Sequence, residues 1–253
     1  MTPGPTMRPI RDGGFCFDCH RKMPCFTRCC AHLNLVLTPY DILRLKNRLR
    51  LSSKDFLDRY TDDHVDEATG LPLVRLKMGE EDSRRCPFVR PEGCTVYEDR
   101  PGACRLYPLA RAAARFRGEK KAHEKYFIVE EAHCLGLKEQ KEWTVKEWLA
   151  DQGLIQYNAM NDGFMEVSTA RPPSAMRRLG DRQRQMYTMA FYDLDGFRSF
   201  LLESTFFERF QLEEELAAQL QTVDEQLLIF AGQWLKFALF GEMTMQIKPA
   251  YVP

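Results

Sequence analysis

Cysteine clustering constrains this fold more than any other feature of the chain. Five of nine cysteines lie in one stretch, FCFDCHRKMPCFTRCCA at residues 15–31, and none follows Cys134. Short loops that bring several thiolates to one ion are typical of zinc and iron–sulfur sites. We predict metal binding, and the candidate ligands are Cys16, Cys19, Cys25, Cys29, Cys30, Cys86, Cys94, Cys104 and Cys134.

Disulfide bonding is the main alternative for these thiols. The N-terminal sequence MTPGPTMRPIRDGG lacks the apolar run of a signal peptide. No apolar window reaches the roughly 18 residues that a membrane-spanning helix needs. We therefore predict a cytoplasmic protein, and a reducing cytosol disfavours disulfides. The odd cysteine count also excludes complete internal pairing.

The adjacent pair Cys29–Cys30 limits how the thiols can be shared. Neighbouring side chains diverge by about 100° in a helix and point to opposite sides of a strand. Either the two thiols serve different centres, or one is a ligand and the other packs. Nine thiols could fill two four-thiolate sites with one left over. We predict two metal centres or one multinuclear cluster.

The pattern of the 253 residues predicts an α+β fold. We expect a disordered N-terminus at 1–14, a cysteine-cluster domain with short strands at 15–136, and a mainly helical region at 137–253. A linker is possible at 171–184, where two prolines and five arginines occur. Metal is expected to replace much of the core of the first domain.

Individual elements follow from periodicity and capping residues. Thr38 and Pro39 are favourable at the start of a helix, and Thr144 with Glu147 forms a capping-box pattern. Strands are predicted at 33–37 and 71–78, a loop at 61–70, and a hairpin from 111–116 and 125–130. Further helices are predicted at 53–60, 154–167, 184–192, 195–203 and 223–240.

Charge gives little information about partners. Lysine plus arginine equals aspartate plus glutamate, at 36 each, so nothing favours binding to nucleic acid. Residues 185–253 carry ten acidic and four basic side chains, and a protein partner could use this helical region. The apolar helix at 223–240 is interpreted as a core helix rather than one that docks on a partner or membrane.

Several local sequences resemble a known family. They are the CC pair, LTPYD, CPF, CTVYEDRPGACRLYP and HCLG, spread over about residues 15–136. Together they resemble the YkgJ-type cysteine cluster family, described as zinc- or iron-chelating proteins. The resemblance implies that Cys86, Cys94, Cys104 and Cys134 join the first-loop thiols as ligands. Family members open with C-x2-C-x2-C-C, whereas the first loop here is longer and has a fifth thiol.

Residues beside the cysteines have two interpretations each. Arg100 and Arg105 could offset the charge of a thiolate cluster, or they could pair with nearby carboxylates such as Glu98. His20, His32 and His133 could replace a thiol ligand, although surface or supporting roles suit them better because cysteines are plentiful.

Three functions remain open from the sequence, and whether the chain is an enzyme is undecided. The first is a metal-binding protein carrying zinc or iron, including an iron–sulfur cluster, with iron slightly favoured. The second is an iron–sulfur-dependent enzyme that modifies a protein, suggested by a distant similarity to flagellin lysine methylases. The third is a structural zinc module that holds an interaction surface. Neither common phosphate-binding loop is present.

Overall fold

The computed structural model describes residues 5–10, 13–67, 69–114, 123–169 and 179–251. Its helices are α1 (Pro39–Leu49), α2 (Ser53–Tyr60), α3 (Gly102–Leu106), α4 (Val145–Asp151), α5 (Leu154–Met160), α6 (Asp162–Thr169), α7 (Asp181–Phe191), α8 (Leu194–Glu203), α9 (Phe206–Arg209), α10 (Glu214–Thr222) and α11 (Asp224–Phe240). Its strands are β1 (Thr6–Pro9), β2 (Gly14–Cys16), β3 (Val36–Leu37), β4 (Thr61–Val65), β5 (Pro72–Leu76), β6 (Val89–Arg90), β7 (Gly93–Cys94), β8 (Leu109–Ala114), β9 (His123–Glu130), β10 (Glu142–Thr144), β11 (Phe210–Gln211) and β12 (Gln246–Ile247). Short antiparallel strands and C-terminal helices confirm the predicted α+β class.

Backbone contacts divide the chain into two units. Unit 1 comprises Met1–Leu35 and Lys77–Tyr157, and it contains all nine cysteines. Unit 2 comprises Val36–Leu76 and Asn158–Pro253. Residues 36–76 therefore group with the C-terminal helices, although they are continuous in sequence with the first cysteine loop. The predicted domains at 15–136 and 137–253 stay a prediction about what can fold independently.

Unit 1 contains three small antiparallel sheets, ordered β1-β9-β8, β10-β2 and β6-β7. Strand β1 lies within 1–14, the segment predicted to be disordered. Its backbone pairs with β9 from Thr6 opposite Glu130 to Pro9 opposite Phe127, and Arg8 forms an ion pair with Glu130 at 2.6 Å. All four residues of β1 are exposed. Apolar periodicity could not reveal this strand, because backbone pairing rather than burial holds it.

An aromatic cluster forms the core of unit 1. Trp148 of α4 lies edge-on to Phe15 and Phe17, with ring centroids 5.8 and 5.5 Å apart. Leu109 and Ile128, from paired strands β8 and β9, complete the buried cluster. The start of the cysteine loop is thus fixed to an apolar core, and Cys134 packs against the same core.

Unit 2 begins with a strand and a capped helix. The Thr38 side chain accepts a hydrogen bond from the Asp41 backbone N–H, and Asp41 accepts one from the Thr38 N–H. This capping box and Pro39 start α1 at the predicted position. Short strand β3 pairs with β5, which also pairs with β4, giving the sheet order β3-β5-β4.

Helix α11 is a core helix, as predicted. Phe230, Trp234 and Leu235 are among its buried residues. It contacts α6 closely, and a Cβ atom built on Gly232 would lie 3.1 Å from the Gly163 Cα atom. Gly241, in the left-handed region at φ 69°, ends the helix. Within the described ranges, no helix is both long and apolar enough to cross a membrane.

Several elements differ from the sequence prediction. The predicted loop at 61–70 contains β4, and the predicted helix at 154–167 is broken into α5 and α6 at Asn161. Of the predicted linker, 171–178 lies outside the described residues and 181–184 belongs to α7. Strands β8 and β9 form the predicted hairpin, whose turn also falls outside the described residues.

Candidate metal centre

The first cysteine loop is folded into consecutive tight turns. The Phe26 N–H donates to the Met23 carbonyl at 2.9 Å, and the Arg28 N–H donates to the Cys25 carbonyl at 3.0 Å. Thr27 adopts a left-handed conformation, φ 65°, directly before a short 3-10 helix at 28–30. These three-residue turns bring thiols that are a few positions apart in sequence close together in space.

Cys134 is held against this loop by backbone hydrogen bonds on its C-terminal side. The Leu135 N–H donates to the Cys25 sulfur at 3.4 Å, and the Asp18 N–H donates to the Gly136 carbonyl at 3.2 Å. Gly136 fits only because it lacks a side chain, since a Cβ atom there would lie 2.5 Å from the Asp18 carbonyl oxygen. The chain thus brings together thiols that are 110 or so residues apart.

Three neighbouring thiols act electrostatically on Cys19. Partial burial and then the neighbouring Cys29, Cys25 and Cys134 raise the pKa of Cys19 to about 11, although the Cys19 residue is still open to solvent. The sulfur atoms of Cys29 and Cys30 are 4.0 Å apart. This contact and burial raise the pKa of Cys29 well above its usual range. Crowded thiolates repel one another, and a bound cation relieves that repulsion.

A second pair of thiols lies on the hairpin formed by β6 and β7. Cys86 precedes β6, and its N–H donates to the Cys30 carbonyl at 2.8 Å. Cys94 ends β7, opposite Val89. Burial raises the pKa of both Cys86 and Cys94. The Cys30 backbone therefore connects the first loop to the strand pair that carries the second group of thiols.

Arg100 and Arg105 flank Cys104 and bind mainly backbone carbonyls. Arg105 is buried, and it donates to the carbonyls of Arg100 at 3.1 Å, Gln152 at 2.8 Å, and Glu98. Arg100 donates to the Gln152 side chain at 2.6 Å. Its charge also lowers the pKa of a thiol, since it offsets part of the rise that burial causes at Cys94.

One protein family matches the cysteine-bearing part of the chain. Residues 18–135 match the model of the CxxCxxCC family, whose description is "Putative zinc- or iron-chelating domain". Over these residues the chain is similar to the CxxCxxCC family. The match confirms the family resemblance that the cysteine spacing and the CTVYEDRPGACRLYP segment suggested. No curated protein and no solved structure matches the chain.

Cys16 differs from the other eight cysteines. It lies before the matched residues of the CxxCxxCC domain, on the exposed side of β2 between buried Phe15 and Phe17. Its backbone pairs with Glu142 of β10. The arrangement places Cys16 in a sheet rather than in the folded loop, and its role as a ligand stays a prediction.

A donor set of nine cysteine thiols suits a thiophilic metal such as zinc or iron. All nine cysteines are free thiols. Among the residues that the structure describes, no three Cys, His, Asp or Glu side chains have donor atoms positioned to hold one ion. Coordination would therefore require rotation of thiol side chains that already lie on neighbouring turns.

Tyr107 places a buried hydroxyl beside Cys134. Its buried hydroxyl has no hydrogen bond of normal geometry within the described part of the chain, and it lies beside Cys134 and Glu131. Burial and then these neighbours raise the pKa of the Tyr107 phenol well above its usual range. The phenol is therefore a proton donor next to a sulfur that would carry negative charge when bound to metal.

Sequence reasoning missed two residues that build this site. Gly136 belongs to the HCLG segment, but nothing in the sequence indicated that a Cβ atom at this position would clash with the Asp18 carbonyl. Gln152 accepts hydrogen bonds from both Arg100 and Arg105, and no sequence spacing predicts its contact with Arg100. Of the three histidines considered as ligands, His133 has its Nε2 atom 3.4 Å from a Glu131 carboxylate oxygen. His20 accepts a hydrogen bond from the Lys22 N–H.

Proposed function

We propose that the CxxCxxCC domain binds iron or zinc at two thiolate centres. The first would use Cys19, Cys25, Cys29 and Cys134, and the second would use Cys30, Cys86, Cys94 and Cys104. Cys16 would be the thiol left over. The observation that carries the proposal is the hydrogen bond from the Leu135 N–H to the Cys25 sulfur. It joins the two ends of the domain at a sulfur, as N–H donors do around thiolate-bound metals.

The division into two sets rests on proximity and chain direction. The charges of Cys29, Cys25 and Cys134 help to raise the pKa of Cys19. The charge of Cys94 helps to raise the pKa of Cys86, and the Cys86 N–H donates a hydrogen bond to the Cys30 carbonyl. Since adjacent side chains diverge, assigning Cys29 and Cys30 to different centres avoids a strained turn. Cys104 joins the second set because the Arg100 guanidinium acts on both Cys94 and Cys104.

Iron is the metal we favour for the first centre. Tyr107 and the Leu135 N–H supply donors next to the sulfurs, and hydrogen bonds to sulfur tune the potential of iron–sulfur clusters. Nine free thiols support residence in a reducing compartment such as the cytoplasm. The chain's biological role would then be metal handling or electron transfer, and no residue is assigned to catalysis.

A structural zinc module is the second candidate, and one observation favours it. The thiols belong to three segments far apart in sequence, around Cys25, Cys86 and Cys134, and backbone bonds already join them. A metal that crosslinks such segments contributes directly to folding. Under this candidate, chelation would unfold unit 1 and no redox signal would be seen.

Two matched variants test the proposed ligand set. Cys134→Ser should lower bound metal by one centre, whereas Cys16→Ser should keep full occupancy, because Cys16 lies on the exposed face of β2. Metal per folded chain is measured after anaerobic purification, and circular dichroism checks that both variants fold. Equal occupancy in Cys134→Ser and wild type would contradict the proposal. Loss of metal in Cys16→Ser would return Cys16 to the ligand set.

A further inference from the structure

The three-stranded sheet of unit 2 ends in an open strand edge. Strand β4 pairs only with β5 among the described residues. The Thr61 N–H bonds back to the Leu57 carbonyl, so it points away from β5. Backbone groups alternate in direction along an antiparallel strand, and Asp63 and Val65 therefore also direct their N–H and C=O groups outward.

Two further observations agree with this register. Val65 lies opposite Pro72, which has no N–H to offer across the ladder. The Asp66 N–H donates to the Leu71 carbonyl at 3.0 Å, which continues the inward-facing set. Within the described backbone, no group pairs with the outward N–H and C=O of Asp63 or Val65. Four hydrogen-bonding groups thus remain available on one edge.

This edge faces a groove rather than a flat surface. The groove has a volume of about 590 Å³ and lies between β4 and helix α7. Leu57, Val65, Pro72 and Met189 give it apolar walls. Val65 is 45% exposed, although it projects from the same sheet face as buried Pro72 and Val74. A stretch of the core-facing side of the sheet is therefore uncovered at its edge.

The groove is acidic. Asp63, Asp181 and Asp193 line it, together with Arg184 and His64. Arg184 is already engaged, since it pairs with Asp181 and donates to the Leu179 carbonyl at 2.7 Å. The lining therefore has three carboxylates, one guanidinium and one imidazole. This charge repels phosphate groups and attracts lysine or arginine side chains.

We propose that this groove binds an extended basic peptide segment of a partner protein, which adds to β4 as a further strand. Backbone bonds to Asp63 and Val65 would supply affinity, and the alternate side chains would supply specificity. The residue beside Asp63 would be basic, and the residue two positions away, beside Val65, would be apolar.

A second copy of this chain fits the edge less well. Antiparallel pairing of two β4 strands would bring acidic residues of both copies together, because Asp62 and Asp63 are neighbours in the strand. Like charges directly opposite each other destabilise a sheet. The charge pattern therefore favours a basic partner over self-association.

Selection of phage-displayed random octapeptides on the full-length chain tests this inference. Enriched peptides should carry a basic and an apolar residue two positions apart, and fluorescence anisotropy then gives their affinities. Val65→Pro removes one outward N–H without touching the ladder to β5, and we expect it to weaken binding about tenfold. Asp63→Lys should weaken binding at least as much, and a peptide N-methylated at alternate amides should not bind.

Asp62→Lys is the matched control, because it makes the same charge change on the opposite face of β4. It should weaken binding much less than Asp63→Lys. Enrichment of acidic or unpatterned peptides, or affinities unchanged in Val65→Pro, would overturn the proposal. Dimerisation of the wild-type chain that Val65→Pro abolishes, measured by sedimentation, would assign the edge to a second copy and also overturn it. None of these readouts depends on bound metal.

Discussion

Lys46 should be a major source of stability in unit 2. Its ammonium group is buried, with 6% of the side chain exposed, and it lies 3.3 Å from carboxylate oxygens of both Asp195 and Asp224. Arg198 bonds Asp224 at 2.5 Å, so two cations and two anions form one network. The network joins α1, α8 and the start of α11. Replacing Lys46 by Met keeps the apolar stem and removes one cation.

The expected cost follows from the geometry. At 3.3 Å and an effective dielectric constant of about 20, each pair has a gross attraction of roughly 5 kcal/mol. Desolvation cancels most of this, and removing one partner of a fully buried pair costs about 3–5 kcal/mol. Asp195 is 35% exposed and therefore screened, and Asp224 retains Arg198. We therefore expect Lys46→Met to cost about 2–3 kcal/mol.

Hydrogen exchange followed by mass spectrometry measures this cost within unit 2 alone. Peptides from α1, α8 and α11 should exchange faster in Lys46→Met, by the free energy given above. Lys54→Met is the control, because Lys54 is exposed on α2 of the same unit. It should change the free energy of opening by less than about 0.5 kcal/mol. Equal losses of protection in the two variants would refute the reasoning.

The pH dependence gives the sign of the effect. Burial alone would raise the pKa of Asp224. Hydrogen bonds from Arg198 and Asn47 and the charge of Lys46 together lower this pKa by more than burial raises it, so the net shift is downward. A depressed pKa contributes stability above the unfolded value, and that contribution is lost as the pH falls through the folded value. The difference between wild type and Lys46→Met should therefore shrink on acidification. A constant difference would contradict the assignment.

Four other variants test close contacts and the ligand set. Gly136→Ala should cost about 1–3 kcal/mol and lower metal content, because its Cβ would lie 2.5 Å from the Asp18 carbonyl; unchanged thermal unfolding would contradict this. Gly232→Val should destabilise the α6–α11 contact by about 1–3 kcal/mol, measured by hydrogen exchange, and Gly163→Ala, with its nearest atom at 3.5 Å, should be milder. Cys104→Ser should lower metal content and solubility together, and full occupancy would remove Cys104 from the ligands.

The sequence predicts elements that local chemistry specifies. The Thr38 cap with Pro39 and the Thr144–Glu147 capping box each start a helix at the predicted residue. Distant contacts explain the failures. Asn161 interrupts the predicted helix at 154–167, and its side chain accepts a hydrogen bond from the backbone N–H of Tyr40, 121 positions away. Strand β4 has the polar sequence TDDHV and exists through pairing with β5.

The candidate site shows the same division. Cysteine spacing predicted which thiols are candidate ligands, and motifs such as CTVYEDRPGACRLYP predicted the family resemblance that the family match confirms. Which thiols lie near one another was not predictable from the sequence, because it depends on how the fold brings distant segments, such as those around Cys25 and Cys134, together. The contact between Leu135 and Cys25 and the close approach of Gly136 to Asp18 arise from the fold of the whole unit. The arginine partner Gln152 was hidden for the same reason.

Metal and acid-labile sulfide analysis of anaerobically purified protein tests the central claim most directly. We predict at least one metal ion per chain, with iron, sulfide and broad visible absorption if the first centre is a cluster. Zinc without colour would keep the thiolate site and favour the structural module. Folded protein with less than one metal ion per chain, after purification without chelators, would contradict the account.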